Sequence, residues 1–191
     1  MTTPPSAPRI APLPAEGERP PLNIFRTLER APALSAAFLA LGTHLLGGGV
    51  LPERERELVV LRVGWRAQSE YEFGQHTTIG AAAGLTPAEI ARLADADADA
   101  DAGDGSWSAD DAALVAMVDE LCDDEVVSDA TWAALSDRWS EEQLLDLLVL
   151  AGYYRLVSGM LNSAGVALEA AAPGWPDGAA PRLRAPRADA S

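Results

Sequence analysis

Apolar residues recur at helical spacing along most of the chain, and no stretch has the sustained alternation of a half-buried strand. Capping signals punctuate the pattern. Ser69 with Glu72, Thr86-Pro87 with Glu89, Ser108 with Asp111 and Ser140 with Gln143 each set a capping side chain ahead of a helical run. These signals predict helices at about 32–46, 52–66, 70–83, 87–94, 109–122, 129–138 and 141–165, and so an all-α fold of about six to seven helices. Two helices are unusually apolar: from Leu58 to Trp65 only Arg62 and Gly64 interrupt the run, and Leu144 to Leu161 is similarly rich. Such helices are covered on most sides, either at the centre of their own monomer or by a second subunit. A homo-oligomer (dimer, trimer or hexamer) is the economical expectation.

Proline, alanine and glycine dominate residues 1–20 and 171–191, where Pro173, Pro176, Pro181 and Pro186 interrupt any helix. Both ends read as flexible arms around one domain at 21–170, within which 95–106 forms an acidic loop. Its simple Asp-Ala alternation lacks the ligand and glycine placement of a calcium-binding loop.

Charge and composition remove several function classes. The net charge is -15, from 29 acidic against 14 basic residues, so a nucleic-acid backbone or an anionic membrane is repelled. Every basic residue is arginine. Without lysine there is no Schiff-base lysine, pyridoxal phosphate anchor or phosphate-loop lysine. Cys122 is the only thiol, which excludes an intrachain disulfide or a dithiol pair and fits a reducing cytoplasm. The proline-rich opening does not resemble an export signal, and no segment reads as a membrane span. The expectation is a soluble cytoplasmic protein with no nucleic-acid or membrane partner.

Chemistry concentrates in one stretch, Glu57 to His76. On a helix Glu57 shares a stripe with Val60, Leu61 and Gly64, so its carboxylate faces packed surface, where burial raises its pKa towards a range useful for proton transfer. Alternatively Arg54, three residues earlier, pairs with it at the surface. His76 follows Glu72 by four residues, on one face with Ile79, Gly80 and Ala83. A carboxylate beside an imidazole fixes its tautomer and makes it a competent acid or base. The competing roles are structural: Ser69-x-x-Glu72 matches a capping box, and His76 fits a core histidine. A metal held by Glu57, Glu72 and His76 is a third reading, but His44, the other histidine, falls in an unrelated helix and no familiar ligand motif completes the set.

The spacing from Glu57 through positions 69 and 72 to His76 resembles the signature of the carboxymuconolactone decarboxylase and alkylhydroperoxidase-D-like family. Flanking text is similar too: Asn23-Ile-Phe-Arg, the Gly47–Pro52 turn, Gly84-Leu-Thr-Pro-Ala-Glu-Ile90, and the late Gly152-Tyr-Tyr helix with Asn162. The likeness spans roughly 22–168. In the family's peroxidase branch two cysteines reduce a hydroperoxide while Glu and His relay protons; here those positions are Ser69 and Glu72, so that thiol chemistry is expected to be absent. The decarboxylase branch works on a carboxylated lactone without metal or organic cofactor, and it too can place a glutamate four residues before the histidine.

The resemblance therefore implies a cofactor-independent lyase or isomerase acting on a small lactone or carboxylated molecule. His76 would be the principal acid or base, Glu57 would hold or shuttle a proton and Glu72 would orient His76. Ser69, Tyr71 and Trp65 flank this set as candidate substrate-binding residues, although capping and aromatic packing suit them equally. Arg62, Arg66 or Arg155 would meet a substrate carboxylate or form ordinary ion pairs. Two alternatives stand beside this reading: a residual hydroperoxide reductase, and a noncatalytic helical oligomer binding a ligand or partner.

Overall fold

The computed structural model of the protein describes residues 5, 7–17, 21–95 and 107–176. Most of the expected acidic loop, and residues 177–191 of the expected tail, lie outside the described residues. Among the described residues there are eight α-helices and no strand: α1 (Asn23–Leu28), α2 (Pro32–Thr43), α3 (Glu53–Arg66), α4 (Glu70–Ala82), α5 (Pro87–Leu93), α6 (Ala109–Asp123), α7 (Asp129–Ser136) and α8 (Glu141–Ala164). All seven expected helices form, with ends displaced by at most three residues, the ordinary ambiguity of frayed termini.

The addition is α1, only six residues long and so too short to show a period. Tertiary contacts hold it instead: Ile24 and Leu28 are buried, and the Ile24 N–H donates to the Tyr71 hydroxyl at 3.2 Å. A π-helical turn, His44–Gly48, prolongs α2. Asp146 of α8 anchors this end, lying 3.3 Å from His44 Nε2 and accepting from the Val50 N–H at 3.3 Å.

The centre of the molecule is α3, packed against α4, α5, α6 and α8. Leu58, Val59, Val60 and Leu61 are all fully buried. Each such side chain contributes about 1.5–3 kcal/mol by leaving water, and that burial decides where α3 lies. Its apolar run is thus satisfied inside one monomer.

The other apolar helix differs. Only one side of α8 meets the core, while Leu145, Val149 and Leu156 are exposed. By length and composition Glu141–Ala164 could cross a membrane, with a mean hydropathy of 1.5 in its most apolar window. This corrects the reading that no segment is so apolar. The physical reason for that composition lies partly in the core, since 44% of the window is buried.

Described parts of both ends lie on the helical body. The Arg9 and Ile10 N–H groups donate to the Ala164 carbonyl at 2.8 and 3.2 Å. At the other end the Glu169 carboxylate accepts from the Asn23 N–H at 2.6 Å and from the Tyr71 hydroxyl at 3.1 Å.

Candidate active site

Two glycines let α3 and α4 run close together. A Cβ on Gly64 would stand 3.2 Å from the Phe73 backbone nitrogen, and one on Gly80 would stand 3.1 Å from Leu61 Cδ1 and 3.6 Å from Glu57 Cβ. This approach brings Glu57 to His76: Glu57 Oε2 lies 2.6 Å from His76 Nδ1. The other oxygen, Oε1, accepts from Arg56 Nε at 3.1 Å. Glu57 is 0% exposed and His76 5%.

Arg54 does not pair with Glu57. Its guanidinium turns to α5 and α6, binding Glu89 and both oxygens of Asp111, the nearer at 2.8 Å. The neighbouring position along the helix, Arg56, supplies the cation instead. Sequence spacing gave no hint of this, because adjacent helical residues diverge by about 100° and long side chains are needed to bridge them.

Glu72 is not half of a capping box. Ser69 Oγ accepts from the Glu72 N–H at 3.5 Å, but the Ser69 N–H donates to the Gly64 carbonyl at 2.9 Å and leaves the carboxylate without a capping role. Complete boxes do form at Thr86/Glu89 and Ser140/Gln143. The Glu72 side chain is released into the interior, 4% exposed, with Oε2 buried and unpartnered.

Electrostatics follow from this placement. Burial pushes the Glu72 carboxyl up to about 7, with the charge of Glu57 adding to the rise and His76 opposing it. For His76 burial opposes protonation, yet the hydrogen bond and charge of Glu57, together with the charge of Glu72, hold the imidazole above its ordinary range. The two groups therefore differ in protonation: an imidazole biased towards its acid form stands beside a carboxyl shifted to near neutrality.

Two tyrosines of α8 complete the surroundings. The Tyr154 ring meets the His76 imidazole edge-on, at 5.0 Å and 87°, and packs against Tyr153 at 5.6 Å. Burial and the Glu72 charge raise the Tyr153 hydroxyl to about 12 and push Tyr154 higher still. Tyr153 in turn donates to the Phe38 carbonyl of α2 at 3.1 Å. Neither tyrosine stands out in the sequence as a site residue, because an aromatic pair in an apolar helix reads as ordinary core.

The remaining expected residues are engaged elsewhere. Tyr71 binds α1 and Glu169, Trp65 packs edge-on against Trp175 at 5.3 Å, and Ser69 caps α4. Tyr71 precedes His76 by five residues and so points about 140° away around the helix. Arg62 is committed to Asp119 at 2.6 Å, Arg66 to Asp123 at 2.5 Å and Arg155 to Glu125 at 2.8 Å. These arginines form ion pairs.

A cavity of about 420 Å³ lies between α6 and α8, lined by Val63, Cys122, Leu148, Arg155 and Leu156 among others, and not by Glu57, Glu72 or His76. The Cys122 thiol is buried there, and that burial pushes its pKa up. Among the described residues no three His, Cys, Asp or Glu side chains are arranged to hold a metal ion.

Residues 32–115 match the carboxymuconolactone decarboxylase family. No curated protein matches the chain significantly. Among solved structures, an alkylhydroperoxidase AhpD core, an uncharacterized peroxidase-related protein from Ralstonia eutropha JMP134, superposes with a TM-score of 0.65 at 22% identity, covering 77% of this chain and 76% of that one. A protein of unknown function from Agrobacterium tumefaciens, provisionally assigned to AhpD-type antioxidant defence, gives 0.65 at 16% identity over 74% of this chain and 94% of its own. The debrominase Bmp8, as a cysteine-to-alanine variant with 2,3,4-tribromopyrrole, gives 0.65 at 13% identity over 78% of each chain. At these identities the structures establish a shared fold and not a shared reaction. Residues 32–115 are thus similar in sequence to the carboxymuconolactone decarboxylase family, and the helices share the fold of AhpD-like proteins.

Proposed function

We propose that the protein is a cofactor-independent acid-base lyase or isomerase acting on a small lactone or carboxylated metabolite, with His76, Glu57 and Glu72 as its chemical groups. The observation that carries the reading is the 2.6 Å contact between Glu57 and His76 beside an unpartnered, buried carboxyl one helical turn away. Glu57 holds the Nδ1 proton and leaves Nε2 to face a reactant.

In a decarboxylation of this kind the bond to the carboxylate carbon breaks and CO₂ leaves. The electron pair passes to an adjacent carbonyl oxygen as an enolate, which His76 meets with a proton. Glu72, protonated in part near neutrality, returns a proton to carbon, and the enol proton goes back to His76. One proton is consumed overall, and no redox partner is needed.

Dithiol peroxidase chemistry is disfavoured because Ser69 and Glu72 occupy the cysteine positions and Cys122 is buried with a raised pKa. A cytoplasmic setting belongs to the proposal and rests on the single thiol. The test is turnover across lactones and β-keto acids: the wild type should be active, and His76→Ala should lower kcat by about 10²–10⁴-fold. An inactive wild type, or an undiminished His76→Ala variant, would favour a noncatalytic binding protein.

A further inference from the structure

Among the described residues, three of the four buried side-chain polar atoms without a hydrogen bond belong to the turn into α4, to α4 itself and to α8: Gln68 Oε1, Glu72 Oε2 and Ser158 Oγ. Such atoms are uncommon in a folded chain, and each asks for a reason. Ser158 is 0% exposed, so bulk solvent supplies it no partner.

Helix register sets Ser158 opposite Glu72. The Tyr154 ring meets His76 at 5.0 Å, and Asn162 Nδ2 donates to the Ala67 and Gln68 carbonyls at 3.0 and 3.4 Å. The two helices therefore run antiparallel. Glu72 stands four residues from both His76 and Gln68, and Ser158 four residues from both Tyr154 and Asn162. Residues four apart share a helix face, and each helix rises by about 1.5 Å per residue, so the two midpoints fall at one level. After burial, the charge of Glu72 is the largest influence raising the Tyr153 and Tyr154 hydroxyls, which separately puts its carboxyl against α8.

We infer that Ser158 is the positioning residue of Glu72, its hydroxyl turning to the carboxylate, by a change of rotamer, when Glu72 gives up its proton. The inference rests on the acid-base role proposed above for Glu72. A neutral buried carboxyl does without a donor at modest cost, whereas an unpaired buried charge is far costlier. The charged and titratable groups gathered around Glu72 and His76 are Glu57 and Arg56 of α3, Tyr71 of α4, and Tyr153 and Tyr154 of α8. Both nearby cations, Arg56 and His76, are held by Glu57. Ser158 brings to that level a hydroxyl with no other commitment.

In the decarboxylation, the Glu72 O–H bond breaks as the new C–H bond forms at the carbon that CO₂ has left, and the O–H electron pair stays on the carboxylate. Ser158 keeps its own proton and donates a hydrogen bond to that carboxylate. The bond strengthens as charge develops, so it acts on the transition state more than on the bound substrate.

Ser158→Ala tests this, since deleting a hydroxyl without a partner spares the fold. Carbon-detected NMR of the Glu72 carboxyl, assigned by its loss in Glu72→Gln, should show the titration rising by about one pH unit, the effect of losing a hydrogen bond to a charged group. With a lactone or β-keto acid that the wild type turns over, kcat should fall about tenfold while KM changes less than about twofold. The alkaline limb of the kcat profile should move up with the carboxyl, because the protonated form is the donor. Ser158→Thr, which keeps the hydroxyl, should return the titration and the limb towards wild type. A Glu72 titration that Ser158→Ala leaves in place would overturn the inference, whatever the turnover. An inactive wild type whose Glu72 titration does rise in Ser158→Ala would sink the lyase reading and support Ser158 as the partner of Glu72.

Discussion

The carboxylate of Glu57 on α3 and the imidazole of His76 on α4 meet at 2.6 Å, nineteen residues apart in sequence and with almost no water contact in space. Each is the other's main partner. Replacing Glu57 by Gln should therefore lower the His76 pKa and cost about 3–5 kcal/mol, the usual consequence of removing one member of a buried charged pair. NMR titration of the His76 imidazole reads it directly. An unmoved His76 titration would mean that the pair contributes nothing.

The same shift has a sign for stability. A histidine whose folded pKa exceeds its unfolded value of about 6.5 stabilises the fold fully below that value, and the contribution is lost as pH rises through the folded pKa. Glu72 acts in the same direction, because its folded value of about 7 exceeds the ordinary 4.5. Between those two values the native state holds a proton that the unfolded chain has released, so stability falls with rising pH by about 3 kcal/mol in all. Glu72→Gln should flatten this part of the profile, raising stability above pH 7 relative to wild type. Urea midpoints across that range measure it, and parallel profiles would count against the buried carboxyl.

Gly64 and Gly80 should respond differently to alanine, although both lie in helices. Alanine gains about 1 kcal/mol of helix propensity at either site. At Gly64 the new methyl meets the Phe73 backbone at 3.2 Å, which cannot swing aside, and a net loss of about 1–3 kcal/mol is expected. At Gly80 it meets the ends of Leu61 and Leu85 at 3.1 Å, which can rotate, so the change should stay within about 1 kcal/mol. Denaturant midpoints of the two variants check the order.

Cys122 should be chemically quiet. Its thiol is buried on α6, is held above its ordinary range by that burial and lines a cavity that excludes the Glu57 pair. Cys122→Ser should leave any turnover unchanged, and a thiol reagent should react slowly until the protein unfolds. Loss of turnover in that variant would restore a thiol mechanism.

Local information was enough for most of the fold. The caps at Ser69, Thr86, Ser108 and Ser140 start helices where the sequence predicts them, because a cap needs only a side chain and an amide three residues on. The stripe through Glu57 and the Glu72–His76 spacing are equally local, and they mark three side chains that the fold buries together. What local spacing could not decide was who pairs with whom. Arg54 and Arg56 are both near Glu57 in sequence, and only the packing of α5 and α6 draws Arg54 off to Glu89 and Asp111. The Ser69-x-x-Glu72 pattern fits a capping box, yet the turn from α3 sends the Ser69 N–H to Gly64 and frees the carboxyl to be buried.

The sequence by itself determined seven of the eight helices, their starts and the chemical types in the central pair, since these depend on contacts within a turn or two. Tertiary structure alone decided the burial of Glu72, the grip of Arg56 and His76 on Glu57 and the arrival of Tyr154. Those depend on how closely two glycine-notched helices approach, a distance that no periodicity encodes.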